Sequence, residues 1–230
     1  MKTTFVKIAW NNVNTIINKA LSPQKNKLVE DEYVGSFTYN IPNNSKLWFN
    51  KKTREKNQGA LSNKPKQNDF NIVIVLESPH KDEYKTTIPH PAIGTTGNNL
   101  SKYFNCLLDL LKNNIQNSTT CHVYLMNAVQ YQCSLGFATE DFRSEIFKDI
   151  WDNYDGRNSF LDRLNKLNPN IILNLCTNGP YKLQNMVQNA IKSQYTNSVA
   201  VFKGSHPSSW NRKSNQSNRY LYINGVKSNF

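Results

Sequence analysis

From residue 71 onward, short apolar runs alternate with longer segments of helical periodicity. The runs have the length and composition of buried strands, and they occupy residues 71–76, 122–126, 171–175 and 199–202. The helical patterns cover residues 98–112, 142–167 (with a break near 154–158) and 181–193. Strands that alternate with helices are typical of a parallel sheet covered on both faces. The sequence therefore predicts an α/β fold, with three αβα layers around a central four-stranded parallel sheet.

The first 70 residues predict an N-terminal extension, helical and irregular, that packs on an α/β domain spanning residues 71–230. Apolar residues at helical spacing predict a helix over residues 5–21, and a short strand is expected at 33–39. Residues 51–69 are polar and basic, which is typical of a loop or arm.

The positive charge is concentrated in the two flanks of the chain. The net charge is +12. Residues 1–70 carry 12 Lys/Arg and 5 Asp/Glu, residues 203–230 carry five Lys/Arg and no acid, and residues 71–202 carry eleven of each. This distribution indicates a polyanionic partner, either a nucleic acid such as DNA (single- or double-stranded) or an anionic surface, or it serves only solubility.

Apolar and cysteine patterns exclude several classes of protein. No run of about 18 apolar residues predicts a membrane span, and the amino-terminal segment is not typical of a secretion signal. The four cysteines, Cys106, Cys121, Cys133 and Cys176, form no C-x-x-C pair. The cysteine spacing favours a reduced, cytoplasmic protein without a metal site or cofactor. We also expect the protein to be a monomer.

Three polar residues directly follow predicted strands. Glu77 follows the first strand, Asn127 follows the second, and His206 comes soon after the fourth. In open parallel sheets, ligands bind beyond the carboxyl ends of the strands. Taken singly, Glu77 could be an N-cap-like residue or a salt-bridge partner, Asn127 could cap a turn, and His206 could be a surface residue. Their convergence on one edge predicts an active site.

Four segments, in this order, resemble the uracil-DNA glycosylase superfamily over roughly residues 71–212. They read LESPHKDE (76–83), PAIGTTGNNL (91–100), VYLMNAV (123–129) and HPSSW (206–210). The motif order is most similar to that of the iron–sulfur branch, which reads roughly G-E-x-P-G-x-x-E-D, then P-F-V-G-x-A-G-x-L-L, then N-x-V and H-P-S. The resemblance implies the family's α/β core and a monofunctional DNA glycosylase, which hydrolyses the N-glycosidic bond of a flipped-out base.

The resemblance also implies roles for individual residues. Glu77 and Asp82 would place negative charge near the cationic sugar and hold water, and His206 would donate to a carbonyl oxygen of the base. Asn127 would read one edge of a pyrimidine. The other base-binding positions are Pro79, His80, Glu83 and Ala92. The DNA-binding positions are Ser78, Ser205, Ser208, Ser209, Trp210, Arg212 and Lys203. Of these, Trp210 either fills the gap left by the flipped base or is a packing residue.

Several positions depart from the family pattern. Ser78 stands where some branches have a water-positioning Asp or Asn, His80 where others have Gly or Tyr, and Ala92 where the family stacks an aromatic ring on the base. The cysteines that hold the iron–sulfur cluster are absent. A small Ala92 and a bulky His80 favour a larger, modified pyrimidine over plain uracil, for example a phage-type modified cytosine removed in anti-phage defence or in repair.

Two other classes of function compete with this interpretation. One is a catalytically silent nucleic-acid-binding protein on the same fold, which Ser78 favours. The other is an unrelated α/β hydrolase that acts on nucleotides or small N-glycosides. No lysine occupies a position that clearly predicts a Schiff base, so we expect no lyase activity.

Overall fold

The computed structural model describes residues 28–41, 45–50, 54, 69–84, 89–133, 143–179, 181–195, 198–211 and 218–230. The helix predicted at residues 5–21 lies outside this part of the chain, as does the basic 51–69 segment except for Arg54 and Asp69. Within the described part, no helix combines the length and the apolar character that crossing a lipid bilayer requires.

The described residues form eight strands and four α-helices. The strands are Glu32–Thr38 (β1), Ser45–Leu47 (β2), Phe70–Leu76 (β3), Thr120–Asn127 (β4), Ile171–Asn174 (β5), Ala200–Gly204 (β6), Tyr220–Ile223 (β7) and Val226–Asn229 (β8). The α-helices are Thr95–Leu110 (α1), Arg143–Asn153 (α2), Gly156–Lys166 (α3) and Leu183–Gln194 (α4). Short 3-10 turns lie at Lys81–Tyr84, Lys112–Asn114 and Pro207–Ser209.

All eight strands belong to one mixed sheet, in the order β2-β1-β4-β3-β5-β6-β7-β8. β3 pairs in parallel with β4 and β5, and β5 pairs in parallel with β6. The pairings β1–β2, β1–β4, β6–β7 and β7–β8 are antiparallel. The prediction of a central four-stranded parallel sheet is therefore wrong, because the sheet is twice as wide and antiparallel pairs extend it on both sides.

Of the strands that the prediction lacks, β2 (SKL) and β8 (VKSN) carry little of the apolar-run signal on which it depends, whereas β7 (YLYI) does carry such a run. β2 has three residues, and β7 and β8 have four each. β8 is mostly exposed, so its side chains need not be apolar. One signal does mark the β7–β8 hairpin: Asn224 and Gly225 have φ values of 50° and 81°. Two positive φ values are what a two-residue type I′ turn requires, and Asn-Gly is the preferred sequence there.

The centre of the sheet is buried on both faces. Ile72 and Ile74 of β3 pack in the cluster that contains the apolar side of α1, whereas Val73 and Val75 pack in the cluster of α2, α3 and α4. Successive side chains of a strand point to opposite faces. The β3 run is therefore continuously apolar because neither of its faces meets water.

The segment before residue 70 completes this sheet through β1 and β2. Arg54, which is fully buried, donates to Glu32 of β1 and to the carbonyl oxygens of Trp48, Phe49 and Pro91. These bonds fasten the antiparallel edge to the turn that precedes α1. The domain boundary at residue 70 stays a prediction.

Gly97 lets the first turn of α1 lie directly against backbone. A Cβ atom at this position would lie 2.0 Å from the carbonyl oxygen of Ala92 and 2.4 Å from that of Phe49. Gly97→Ala should therefore lower the free energy of unfolding by about 2 kcal/mol or more, because backbone must shift. Urea denaturation measures this.

Gly94→Ala is the matched control, because a Cβ at residue 94 would meet nothing within 4 Å. It should change the free energy of unfolding by less than about 1 kcal/mol. Similar losses in the two variants would contradict the close approach at Gly97.

Candidate functional site

The carboxyl ends of β3, β4, β5 and β6 meet at one edge of the sheet because these four strands run in the same direction. Leu76, the last residue of β3, lies opposite Asn127, the last residue of β4. Glu77 follows at once, and His206 comes two residues after β6 ends. This edge is the candidate functional site.

Glu77 is a buried carboxylate held by an arginine. It is 3% exposed. Nε of Arg143 lies 2.8 Å from Oε1 of Glu77, and Nη2 donates to Oε2 at 3.0 Å. The Thr177 hydroxyl also donates to Oε2, and Nη2 of Arg143 donates to the Thr177 oxygen. Two residues thus fix the position of the Glu77 carboxylate: Arg143, the first residue of α2, and Thr177, which follows β5.

Burial and the ion pair act on Glu77 in opposite directions. Burial disfavours the charged form and raises the pKa of Glu77 to about 7, although Arg143 and Thr177 favour the ionised carboxylate and limit the rise. Glu77 therefore exchanges its proton near neutral pH. A carboxyl group with such a pKa can act as a base or can stabilise a cation above pH 7.

His206 is held as a neutral ring with a defined tautomer. The backbone N–H of Ser208 donates to Nδ1 of His206 at 3.2 Å, and the Ser208 hydroxyl lies 2.8 Å from the same atom. A backbone N–H can only donate, so Nδ1 carries the lone pair and Nε2 carries the proton. His206 is partly exposed, and desolvation of its ring, together with the positive charge of Arg143, lowers the pKa of His206 to about 3. His206 is therefore an uncharged Nε2–H donor at neutral pH.

A second buried carboxyl group, Glu83, lies against Asn127. The backbone N–H groups of Ala92 and His80 and the side-chain amide of Asn127 favour the ionised form of Glu83, but burial outweighs them and raises its pKa to about 7. Asn127 is 1% exposed, and its Oδ1 has no hydrogen-bond partner among the described residues. A buried acceptor without a partner costs free energy, so a donor on a ligand would be favoured there.

The backbone at Asn127 is fixed from the helix side. Nη2 of Arg163, in α3, donates to the carbonyl oxygens of Asn127 and Ala128 at 2.9 and 3.1 Å. The Arg163 guanidinium also contacts Asp31. The position of the Asn127 amide therefore depends on α3 as well as on β4.

The other predicted base-binding residues lie in the segment between β3 and α1. Pro79 is buried, and His80 contacts Asp82 at the surface, with Nδ1 and Oδ2 3.2 Å apart. Asp82, predicted to be catalytic, thus has His80 as its neighbour. Ala92 has a left-handed φ of 58° and directs its N–H to Glu83.

Two predicted DNA contacts are core residues instead. Trp210 is 2% exposed and packs edge-on against Phe230, with ring centroids 5.1 Å apart. Its Nε1 donates to Oγ of Ser205, which also accepts from the backbone N–H of Tyr220. Of the two roles predicted for Trp210, the structure therefore shows the packing residue and not the wedge, because Tyr103 of α1 and Phe230 enclose the indole. The Ser205 hydroxyl is likewise used inside the protein.

The remaining predicted DNA-binding residues differ in placement. Ser208 is exposed beside His206, and the Ser209 hydroxyl donates to the His206 carbonyl oxygen. Nζ of Lys203 donates to Asn185 at 3.2 Å. Ser78 interacts with the Cys133 thiol. Arg212, and Lys213 beside it, lie outside the described residues.

Two residues of the site were not predicted from the sequence. Thr177 belongs to the segment that follows β5, which strand-end reasoning does mark. Arg143 begins a helix and lies 66 residues from Glu77 in the chain, and no local pattern marks it. In the part of the chain that is described, no three His, Cys, Asp or Glu side chains cluster as metal ligands would.

The buried thiols near Glu77 do not supply a nucleophile. Burial and the charge of Glu77 raise the pKa of Cys133 and of Cys176 well above the ordinary value for a thiol. A thiol must lose its proton to be strongly nucleophilic. The groups at this edge that can exchange protons or stabilise charge are therefore Glu77, Arg143 and His206, and not the two thiols.

Arg143→Met should destabilise the protein in a pH-dependent way. At about pH 8.5 the variant holds a buried carboxylate without its cation, and the free energy of unfolding should fall by roughly 3 kcal/mol. At about pH 5.5 Glu77 can take up a proton instead, so the loss should be smaller. Urea denaturation at both pH values measures the difference.

The double variant Glu77→Gln/Arg143→Met is the control for this ion pair. It removes both charges and should recover part of the loss at high pH. A loss in Arg143→Met that is the same at both pH values would show that Arg143 contributes through packing alone.

No protein-family model and no curated protein matches the chain. The likeness to the uracil-DNA glycosylase superfamily therefore stays a prediction, which depends on the four sequence motifs and on the chemistry of this edge.

Proposed function

We propose that the protein is a monofunctional DNA glycosylase of the uracil-DNA glycosylase type. It would hydrolyse the N-glycosidic bond of a flipped-out pyrimidine and leave an abasic site. The observation that carries the proposal is His206, a neutral ring with its proton on Nε2, which experiences the charge of Arg143, the ion-pair partner of the buried Glu77. DNA as the partner, a monomeric state and a cytoplasmic location are parts of the same proposal.

The chemistry requires opposite charges on the two fragments. When the bond breaks, its electron pair leaves with the base, and the sugar becomes an oxocarbenium-like cation. The His206 Nε2–H would stabilise the negative charge on the base carbonyl oxygen without giving up its proton. Ionised Glu77 would stabilise the sugar and accept a proton from the water that adds to it, and the departing base would take up a proton from solvent.

Asn127 and the residues around it would select the base. Its unpaired Oδ1 would accept from a ring N–H or an exocyclic amino group of a pyrimidine. Ala92 puts only a methyl group where the family stacks an aromatic ring. This supports a substituted pyrimidine, such as a bulky modified cytosine of phage DNA, as the substrate in preference to plain uracil. Removal of such a base would serve anti-phage defence or repair.

A catalytically silent DNA-binding protein is the second candidate. Ser78 favours it, because its side chain interacts with the Cys133 thiol. Some branches of the family place a water-positioning acid or amide at this position, and a serine so engaged does not supply that group.

Base release distinguishes the two candidates. Wild-type protein should release one base from oligonucleotides, single- and double-stranded, that contain uracil, 5-hydroxymethylcytosine, its glucosylated form, hypoxanthine or a thymine mismatch. His206→Ala and Glu77→Gln should each lower the rate by on the order of 100-fold, because each removes a group that acts only in the transition state. Alkaline cleavage of the abasic site measures product.

His122→Ala is the matched control. His122 lies near the amino end of β4, whereas the candidate site lies at the carboxyl end of this strand. Nδ1 of His122 lies 3.2 Å from the Tyr33 hydroxyl. This variant should release base at the wild-type rate. DNA binding without release of any base would favour the silent candidate.

The pH profile should show ionisation of Glu77. Because its pKa is about 7 and the carboxylate is the active form, kcat/KM should rise from acidic pH and level off above neutrality. His206 is already neutral there and adds no inflection. Glu83→Gln should keep the midpoint of the profile, whatever its absolute rate. A rate that falls as pH rises through 7 would contradict the role of Glu77.

A further inference from the structure

The C-terminal hairpin carries a row of aromatic and cationic side chains on one face of the sheet. Lys203 of β6 lies opposite Tyr222 of β7, which lies opposite Lys227 of β8. Tyr220 lies two residues from Tyr222 and so points to the same face. The two tyrosine rings contact each other edge-on, with centroids 5.5 Å apart. These four residues are called the hairpin face below.

The hairpin face presents its rings and charges to solvent. Tyr220 and Tyr222 are partly exposed, and Lys227 is exposed. Nζ of Lys227 lies 4.4 Å from the centre of the Tyr220 ring, and Nζ of Lys203 lies 5.1 Å from that of Tyr222. The hairpin therefore extends the sheet with a polar, aromatic surface.

The surrounding chain is basic throughout. Residues 163–230 contain nine Lys/Arg and no Asp or Glu. The helix beside this face, α4, contributes no acid, and its Asn185 accepts from Nζ of Lys203. β6, β7 and β8 likewise contribute no Asp or Glu side chain, and a surface of this composition attracts a polyanion.

The hairpin face begins at the candidate active site. β7 runs antiparallel to β6, and the backbone N–H of Ser205 donates to the carbonyl oxygen of Tyr220 at 3.1 Å. Tyr220 therefore lies next to the residue that precedes His206. Tyr222 lies about 6–7 Å further along the strand. A chain that leaves the His206 loop can pass over both rings in turn.

We infer that the hairpin face binds single-stranded DNA that leads to the active site. Bases stack on Tyr220 and Tyr222, and Lys203 and Lys227 contact the adjoining phosphates. Unpaired bases have free faces for stacking, whereas a duplex offers this surface only its phosphates. This inference rests on the proposed function, for which it specifies a single-stranded substrate.

The test is fluorescence anisotropy with an unmodified, labelled deoxythymidine 20-mer, its duplex with deoxyadenosine, and the matching RNA. Tyr220→Leu and Tyr222→Leu should each weaken single-strand binding roughly 5- to 100-fold and change duplex binding little. Tyr222→Phe keeps the ring and should bind as wild type does. Lys227→Ala should reduce the slope of log affinity against log salt by about 0.7.

Lys102→Ala is the matched control on the opposite face. Its Nζ also lies over a tyrosine, 5.0 Å from the centre of the Tyr103 ring, and Tyr103 packs against the α1 side of the sheet. This variant should bind single strands within about twofold of wild type, since the charge it removes lies away from the hairpin face. Leucine variants that bind as tightly as Lys102→Ala, or that lose duplex binding equally, would overturn the inference.

Two further outcomes would assign the face to another occupant. RNA binding at least tenfold tighter than DNA binding would overturn the assignment to DNA. A stable dimer in sedimentation velocity that Lys227→Ala dissociates would assign the face to a second copy of the chain. Because the oligonucleotides are unmodified, the result is independent of base release: tyrosine-dependent binding without glycosylase activity would refute the proposed function alone.

Discussion

The candidate site depends on one ion pair, in which the buried carboxylate of Glu77 meets the partly exposed guanidinium of Arg143. The guanidinium acts on two neighbours at once: it favours the charged form of Glu77 and the neutral form of His206. Cleavage of a glycosidic bond uses that combination, an anion near the sugar and an uncharged donor near the base. An ion pair of this kind contributes little net stability, so its presence is better explained by the charge states that it sets.

The residues at strand ends could be predicted because parallel strands impose a shared edge. Glu77, Asn127 and His206 follow apolar runs that are easy to recognise, and the direction of those strands places all three on one side. Arg143 could not be predicted in the same way. Its contact with Glu77 depends on where α2 packs on the sheet, and this is set by tertiary structure across 66 residues of sequence.

The number of strands in the sheet and the burial of Trp210 could not be predicted from apolar runs and motifs either. Apolar runs reveal strands that are buried on both faces, whereas edge strands such as β8 are largely exposed. The motif that contains Trp210 gives its position in a loop but not its neighbours. Phe230 and Tyr103, distant in sequence, enclose the indole. The proposed DNA contact therefore depends on other surfaces, and the one that we infer is the hairpin face, with its two tyrosines and two lysines.

The most direct test of this account is the protonation state of His206, read by NMR of protein labelled with ¹⁵N at its histidines. His206→Gln identifies the signal among those of the four histidines. The account predicts a neutral ring with the proton on Nε2, unchanged from neutral pH down to about pH 5, since Arg143 and burial oppose a second positive charge. Titration with a midpoint near the ordinary value of about 6.5, or a proton on Nδ1, would contradict it.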